Sequence, residues 1–221
     1  MKVFFTSMLT LVIAFSSVSA KKNPYMSFGT DEYKNVTQKV LGIWNASSYN
    51  RSDRGEQMST VYKKATIELA GMKKDGKRGK VIYKFYLSDS LVDVRSKDDK
   101  AQDPTLKVDN YIVVMNGQWD IYDKEPNVIR FQNDSEPYFE ITGSGNTIND
   151  FAKGQNGLLS GSSALGNISG PAGFIASKAA KAGTGLSDIT PELPYKVEFV
   201  LDGDNNIDLK GNSELTFKAA K

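Results

Sequence analysis

Two stretches carry residue types that could hold a phosphate or a metal ion. Gly71-Met72-Lys73-Lys74-Asp75-Gly76-Lys77 satisfies the spacing G-x-x-x-x-G-K. That loop cradles a phosphate when a helix follows, because backbone amides and the helix dipole then converge on the anion. Here Arg78 stands where Ser or Thr would bind magnesium, and an alternating stretch begins at Val81. The stretch therefore reads as a basic hairpin turn, with Lys73, Lys74, Lys77, Arg78 and Lys80 leaving a peripheral contact with an anionic envelope surface open. Asp202-Gly203-Asp204-Asn205-Asn206-Ile207-Asp208 begins like a calcium loop. Its sixth position is Ile207 and its twelfth is Ser213, where calcium needs a Gly and a bidentate carboxylate. A strand-to-strand turn built on D-G and N-N is the reading preferred here, and no metal site is expected.

Catalytic chemistry is curtailed by composition. The chain has no His and no Cys, so imidazole-assisted nucleophiles, thiolates and their metal sites are excluded. No G-x-S-x-G occurs. Asp89, Asp93, Glu136, Glu140 and Glu198 offer no spacing that places two carboxylates on one inward face, as glycoside hydrolysis needs. The expectation is a protein that is not an enzyme and carries no cofactor. A formal charge of +2, from 28 basic and 26 acidic side chains, gives no electrostatic reason to expect a nucleic-acid partner.

The chemistry left is that of large apolar side chains, and their positions depend on strands. Ala65, Ile67 and Leu69 alternate with polar residues over Lys64–Leu69. Val81, Tyr83, Phe85 and Leu87 share one face of Val81–Ser88, and Asn110–Asn116 is apolar on both faces. Trp119–Tyr122, Asn127–Gln132, Tyr138–Thr142, Tyr195–Leu201, Ile207–Leu209 and Glu214–Lys218 follow, after a first strand at Gly42–Arg51. Short alternating runs separated by Gly, Asp, Asn and Pro turns predict an all-β antiparallel meander. Closing it into an up-and-down barrel buries one face of every strand and removes the edges; a two-sheet β-sandwich is the alternative. Trp44, Tyr83, Phe85, Tyr111, Trp119, Phe131 and Phe139 are then the inward candidates. They would line a cavity for a small apolar or amphipathic ligand, or fill the interior themselves.

Flanking segments set the context. Met1-Lys2, the apolar run Val3–Phe15 and Val18-Ser19-Ala20 predict a secretory signal peptide cleaved after Ala20. No Cys follows it to carry a lipid, and no later run is long enough for a transmembrane segment. Export without disulfides fits a bacterial protein destined for the periplasm or the medium. Residues 21–41 read as an arm ending in a short helix, and 42–220 as a single barrel domain. Ten of the 19 glycines fall in 143–186, a stretch far longer than an ordinary strand connection. It reads as a flexible or part-helical insertion, or else as the surface by which a cell-envelope module with a filled core contacts a partner or membrane.

Gly42-Ile43-Trp44 at the head of the first strand, after a short helix, resembles the first signature of lipocalins and their calycin relatives. With Gly117-Gln118-Trp119 and the closing Leu215-Thr216-Phe217-Lys218, the chain looks like the lipocalin-like domains exported by Bacteroidetes. The resemblance implies an eight-stranded up-and-down barrel whose Trp44 closes one end beneath the helix. It implies a basic residue packed over that Trp, with Lys218 at the matching position, and an interior able to hold one small molecule. It carries over no particular ligand.

Overall fold

The computed structural model describes residues 30–53, 55–72, 78–93, 96, 103–149 and 191–221. The signal peptide expected over 1–20 and nearly all of the 143–186 insertion lie outside the described residues.

Helix α1 (Asp31–Val40) starts where a cap permits it. The Thr30 hydroxyl accepts from the Tyr33 amide at 3.2 Å, and Asp31 and Glu32 face the positive end of the helix dipole. Tyr33, Thr37 and Val40 form its buried stripe. Gly42, at φ +123°, then turns the chain into β1 (Gly42–Arg51), a conformation that L side chains rarely adopt. There follow β2 (Glu56–Gln57), a single turn α2 (Met58–Val61), β3 (Tyr62–Met72), β4 (Gly79–Leu87) and β5 (Lys107–Tyr122). After them come β6 (Glu125–Asn133), β7 (Tyr138–Ser144), β8 (Lys196–Leu201), β9 (Asn206–Leu209) and β10 (Leu215–Ala220).

Every strand pairing is antiparallel, in the order β1-β3-β4-β5-β6-β8-β9-β10. β10 returns to β1, from Asn45↔Ala220 to Arg51↔Leu215, and closes an eight-stranded up-and-down barrel. Closure, rather than a sandwich, satisfies the edge groups of the first and last strands with each other. Two strands stand outside the ring. β2 pairs with the end of β1. β7 shares one side of the long β5 with β6, taking Lys107–Val114 while β6 takes Gly117–Tyr122.

The alternation seen in the sequence is the alternation of burial. In β4 Val81, Tyr83, Phe85 and Leu87 are buried and face inward, and in β10 Leu215, Phe217 and Ala219 do the same. β5 is apolar on both faces as expected. Ile112 and Val114 on its outer face are buried but stand outside the core cluster. Lys84 and Glu140, paired at 2.8 Å, come from β4 and β7 on either side of them. The turn between β8 and β9 uses the Asp202 carboxylate, which accepts from the Asp204 and Asn206 amides at 3.0 and 2.9 Å. Those bonds pull its pKa below the ordinary value. Asn205 sits at φ 61° in the same turn.

Candidate functional site at the open end of the barrel

The two tryptophans close the end of the barrel that carries α1. Trp44 is fully buried and its indole N–H donates to the Val40 carbonyl at 2.9 Å, tying β1 to the helix. The cation over its ring is Lys221, 5.7 Å from the centroid, not Lys218. Lys221 also donates to the Lys39 carbonyl at 3.0 Å, at the negative end of α1. Lys218 points to the outside wall instead, 3.7 Å from Asp208. The parity of β10 explains the difference, because Phe217 and Ala219 take the inward positions on either side of Lys218. Trp119 lies across β4. Its indole passes over Gly79 and donates to the Ala70 carbonyl on β3 at 2.9 Å.

Between the ends, aromatic rings pack against one another in the interior. Tyr83 meets Phe131 at 5.6 Å, Phe131 meets Phe199 at 5.0 Å, and Phe199 meets Phe217 at 5.6 Å. Phe85 and Phe217 both contact Tyr49, and Tyr111 packs edge-on against Phe139 at 4.9 Å. Such pairs add about 0.5–1.5 kcal/mol each beyond the area they bury. All seven residues expected to face inward are buried in this body. Trp44 and Trp119 sit at the closed end, Tyr83, Phe85 and Phe131 in the middle, and Tyr111 and Phe139 toward the other end. Burial holds the phenols neutral: Tyr49 is pushed up to about 12, with the nearby Glu56 charge adding to the effect, and Tyr62 and Tyr83 are raised further.

Among the described residues, the opposite end is open. β1 and β6 finish there and β8 and β10 begin there, so the segments that join them surround a cleft of about 860 Å³. None of the seven aromatic candidates lines it. Its apolar surface comes from Met115, Leu193 and Leu215, all nearly fully buried, with prolines beside them. The segment 191–195 is anchored to the end of β6: Asn133 donates its amide to Tyr195 O at 3.0 Å and its side-chain Nδ2 to Pro194 O at 3.2 Å. Gln132 Nε2 donates to the Tyr195 hydroxyl at 2.6 Å, leaving the ring largely exposed at the cleft. Across the cleft, Asn212 Oδ1 accepts from the amides of Glu214 and Leu215, both at 2.9 Å. Arg51, the last residue of β1, is gripped by Asp53 through two bonds of 2.7 and 2.8 Å and pairs with Glu192. These carboxylates hold its pKa above the ordinary value, the Asp53 hydrogen bonds foremost.

Sequence patterning did not single these residues out. The cleft draws on five separated segments, mostly loops, where period-two alternation has nothing to say. The available signal was local: Pro191, Pro194 and Pro137 beside apolar residues, immediately outside strand ends.

A second polar cluster braces the outer wall. Arg130 lies flat on Tyr122, 3.6 Å from the ring centroid, donates to Glu198 at 2.8 Å and pairs with Glu125. It is thus largely covered, where its outward parity alone suggests exposure. Asp120, opposite Arg130 in the β5–β6 ladder, is 3.4 Å from Arg78. Burial raises its pKa against the opposing pull of the two guanidinium groups. The charges alternate across neighbouring strands and neutralise one another, which makes the cluster a cross-strand clamp. Among the described residues no group of three Asp, Glu, His or Cys side chains is placed to hold a metal ion. Nor is any helix among them long and apolar enough to cross a membrane.

A closed eight-stranded antiparallel barrel, plugged at one end by a tryptophan beneath an N-terminal helix, is a lipocalin-like fold. No family model matches the chain, and no match was found among curated proteins or solved structures.

Proposed function

We propose that this chain is an exported, non-catalytic lipocalin-like protein, of the kind Bacteroidetes export, that takes a small amphipathic molecule into the cleft at the open end of its barrel. The observation that carries the reading is the contrast between the two ends. The interior is occupied by the protein's own rings, whereas the mouth presents a large concavity with an apolar floor and a polar rim. Ligand pockets share that composition: mostly apolar walls that give affinity and a few polar groups that orient. The leader read in Met1–Ala20 supports an address in the periplasm or the medium.

Titrating the mature protein with octanol while recording backbone amide and indole NMR signals tests this. The expected result is shifts at Ser135, Leu193 and Glu214, with the indole N–H signals of Trp44 and Trp119 unmoved. Shifts confined to the indoles would place the ligand in the barrel interior and overturn the assignment to the mouth. An absence of binding would overturn the carrier reading.

The packed interior also favours a second reading, a cell-envelope interaction module with a filled core that uses the 143–186 segment to contact a partner or a membrane. Replacing residues 151–188 by a short Gly-Ser linker separates the two. Loss of binding to envelope-lipid vesicles, with cooperative unfolding retained, supports the module; retained octanol binding with no change in vesicle association supports the carrier.

A further inference from the structure

Two polar side chains at the cleft have their hydrogen-bonding sense fixed by the groups that hold them. We propose that they select an amphipath whose head group is a neutral oxygen acceptor, an ester or ketone carbonyl on a short apolar chain. The proposal rests on the reading of the cleft as the ligand site and adds the class of ligand.

The first side chain is Tyr195, which lines the cleft. Arg78 Nη1 donates to Gln132 Oε1 at 3.0 Å. A guanidinium has no lone pair to offer, so the Gln132 amide must turn Oε1 to Arg78 and Nε2 to Tyr195. The 2.6 Å bond from Nε2 to the phenol oxygen therefore runs one way: Gln132 donates and Tyr195 accepts. The Tyr195 hydroxyl keeps its own proton, and among the described residues no acceptor meets it. The bond is exposed, so the proton stands where a head group meets water. Asp120, 3.4 Å from Arg78, begins this chain, and bonds aligned in series polarise one another.

The second is Asn212, on the connection between β9 and β10 and also on the cleft lining. Its Oδ1 accepts from the backbone amides of Glu214 and Leu215, both at 2.9 Å. A backbone N–H only donates, so this side-chain amide cannot be turned round either. Nδ2 is left with two protons and no acceptor among the described residues.

Tyr195 and Asn212 reach the cleft from separate segments, and each arrives as a donor. An acceptor oxygen answers both, whereas an ammonium head has no lone pair and answers neither. A neutral acceptor suits the site better than a carboxylate. Among the described residues that line the cleft the cation is Arg51, already neutralised by Asp53 and Glu192. A carboxylate would give up water there without a free counter-charge. Met115, Leu193 and Leu215 supply hydrocarbon for the chain of the ligand.

The experiment compares 2-octanone, octylammonium and octanol by calorimetric titration of the mature protein at about 0.3 M salt, where exposed charges are screened. The ketone only accepts, the ammonium only donates, and the alcohol does both. 2-Octanone is expected to bind about tenfold or more tightly than octylammonium. Gln132→Glu and Asn212→Asp reverse both groups at nearly constant size. A carboxylate at 132 still accepts from Arg78 but takes the Tyr195 proton; one at 212 still accepts from the two amides but has no proton to give. The combined variant should bind 2-octanone about tenfold more weakly and octylammonium at least as tightly as the parent, a split that mere loosening of the cleft does not produce. Asn212→Asp alone should weaken 2-octanone about threefold, and it carries the test if the thermal midpoint shows that the combined variant has lost its fold. If octylammonium matches 2-octanone on the parent protein, the acceptor preference is overturned and the cleft remains a ligand site. If none of the three binds, both readings fall. If the folded variants keep 2-octanone within about twofold of the parent, these donors are not the source of recognition and the proposal is overturned.

Discussion

Gly79→Ala provides the sharpest test of how the closed end is built. A Cβ at Gly79 would fall 2.6 Å from Trp119 Cζ2 and would overlap Cε2 and Nε1 still more closely. Neither strand can retreat easily, since β4 is hydrogen-bonded on both sides, with Gly79 opposite Met72 and Trp119. The indole must therefore shift by roughly 1.3 Å or more to restore carbon contacts of about 3.5–4.0 Å. The atoms that must move include Nε1, which holds the 2.9 Å bond to Ala70 O. Losing that partner strands a part-buried donor at a cost of about 1–3 kcal/mol. Forcing the ring into neighbouring core adds about 1–3 kcal/mol. A destabilisation of roughly 2–6 kcal/mol follows, measured by urea unfolding followed through tryptophan fluorescence. Two further variants make the inference specific. Gly71→Ala, whose Cβ would meet nothing within 4 Å, should change stability by no more than about 0.5 kcal/mol. Trp119→Phe removes the N–H and part of the ring, so adding Gly79→Ala to it should cost less than about 1 kcal/mol. An equal cost of Gly79→Ala in both backgrounds, or a cost under 1 kcal/mol in the parent, would refute the account.

The buried tyrosines predict an alkaline limit. The folded state holds the neutral phenol, so this stability is complete below pH 10.0, the ordinary value of a phenol, and is lost as pH rises through the folded value, about 12 for Tyr49. Absorbance of phenolate at 295 nm should therefore reach its full amplitude only with loss of the far-ultraviolet circular dichroism, and complete ionisation near pH 10 with the fold intact would contradict it. At the closed end, Lys221→Ala should cost about 0.5–1 kcal/mol through the lost contact with Trp44 and the carbonyls of α1. Lys218→Ala, exposed on the outer wall, should cost close to zero. Urea midpoints rank the two variants, and the reverse order would undo the assignment of the cation over Trp44.

Much of the barrel is legible in the sequence because its information is local and periodic. The run Val81, Tyr83, Phe85, Leu87 names an inward face without reference to any other strand, and the bounds of β1 follow from Gly42 and the alternation after it. The turn at Asp202 is equally local, since its carboxylate caps amides two and four residues on. Lys218 shows where local reading stops. A basic residue near the chain end is visible, but which of Lys218 and Lys221 reaches Trp44 depends on the β1–β10 register and on the position of α1. Gly79 is another case. Nothing near it in the chain reveals that Trp119, forty residues later, lies across it.

Residue order alone determined strand identity, inward parity, the apolar character of the interior and the chemistries that a chain without His or Cys forgoes. These depend on side-chain type at a spacing of two, and each strand states them by itself. Tertiary structure decided that the ribbon closes, that its aromatic rings occupy the space they enclose, and that the accessible concavity lies at the mouth. Those outcomes depend on distances between residues far apart in sequence: Arg51, Asn133, Leu193 and Glu214 have no common pattern until eight strands bring their ends to one rim.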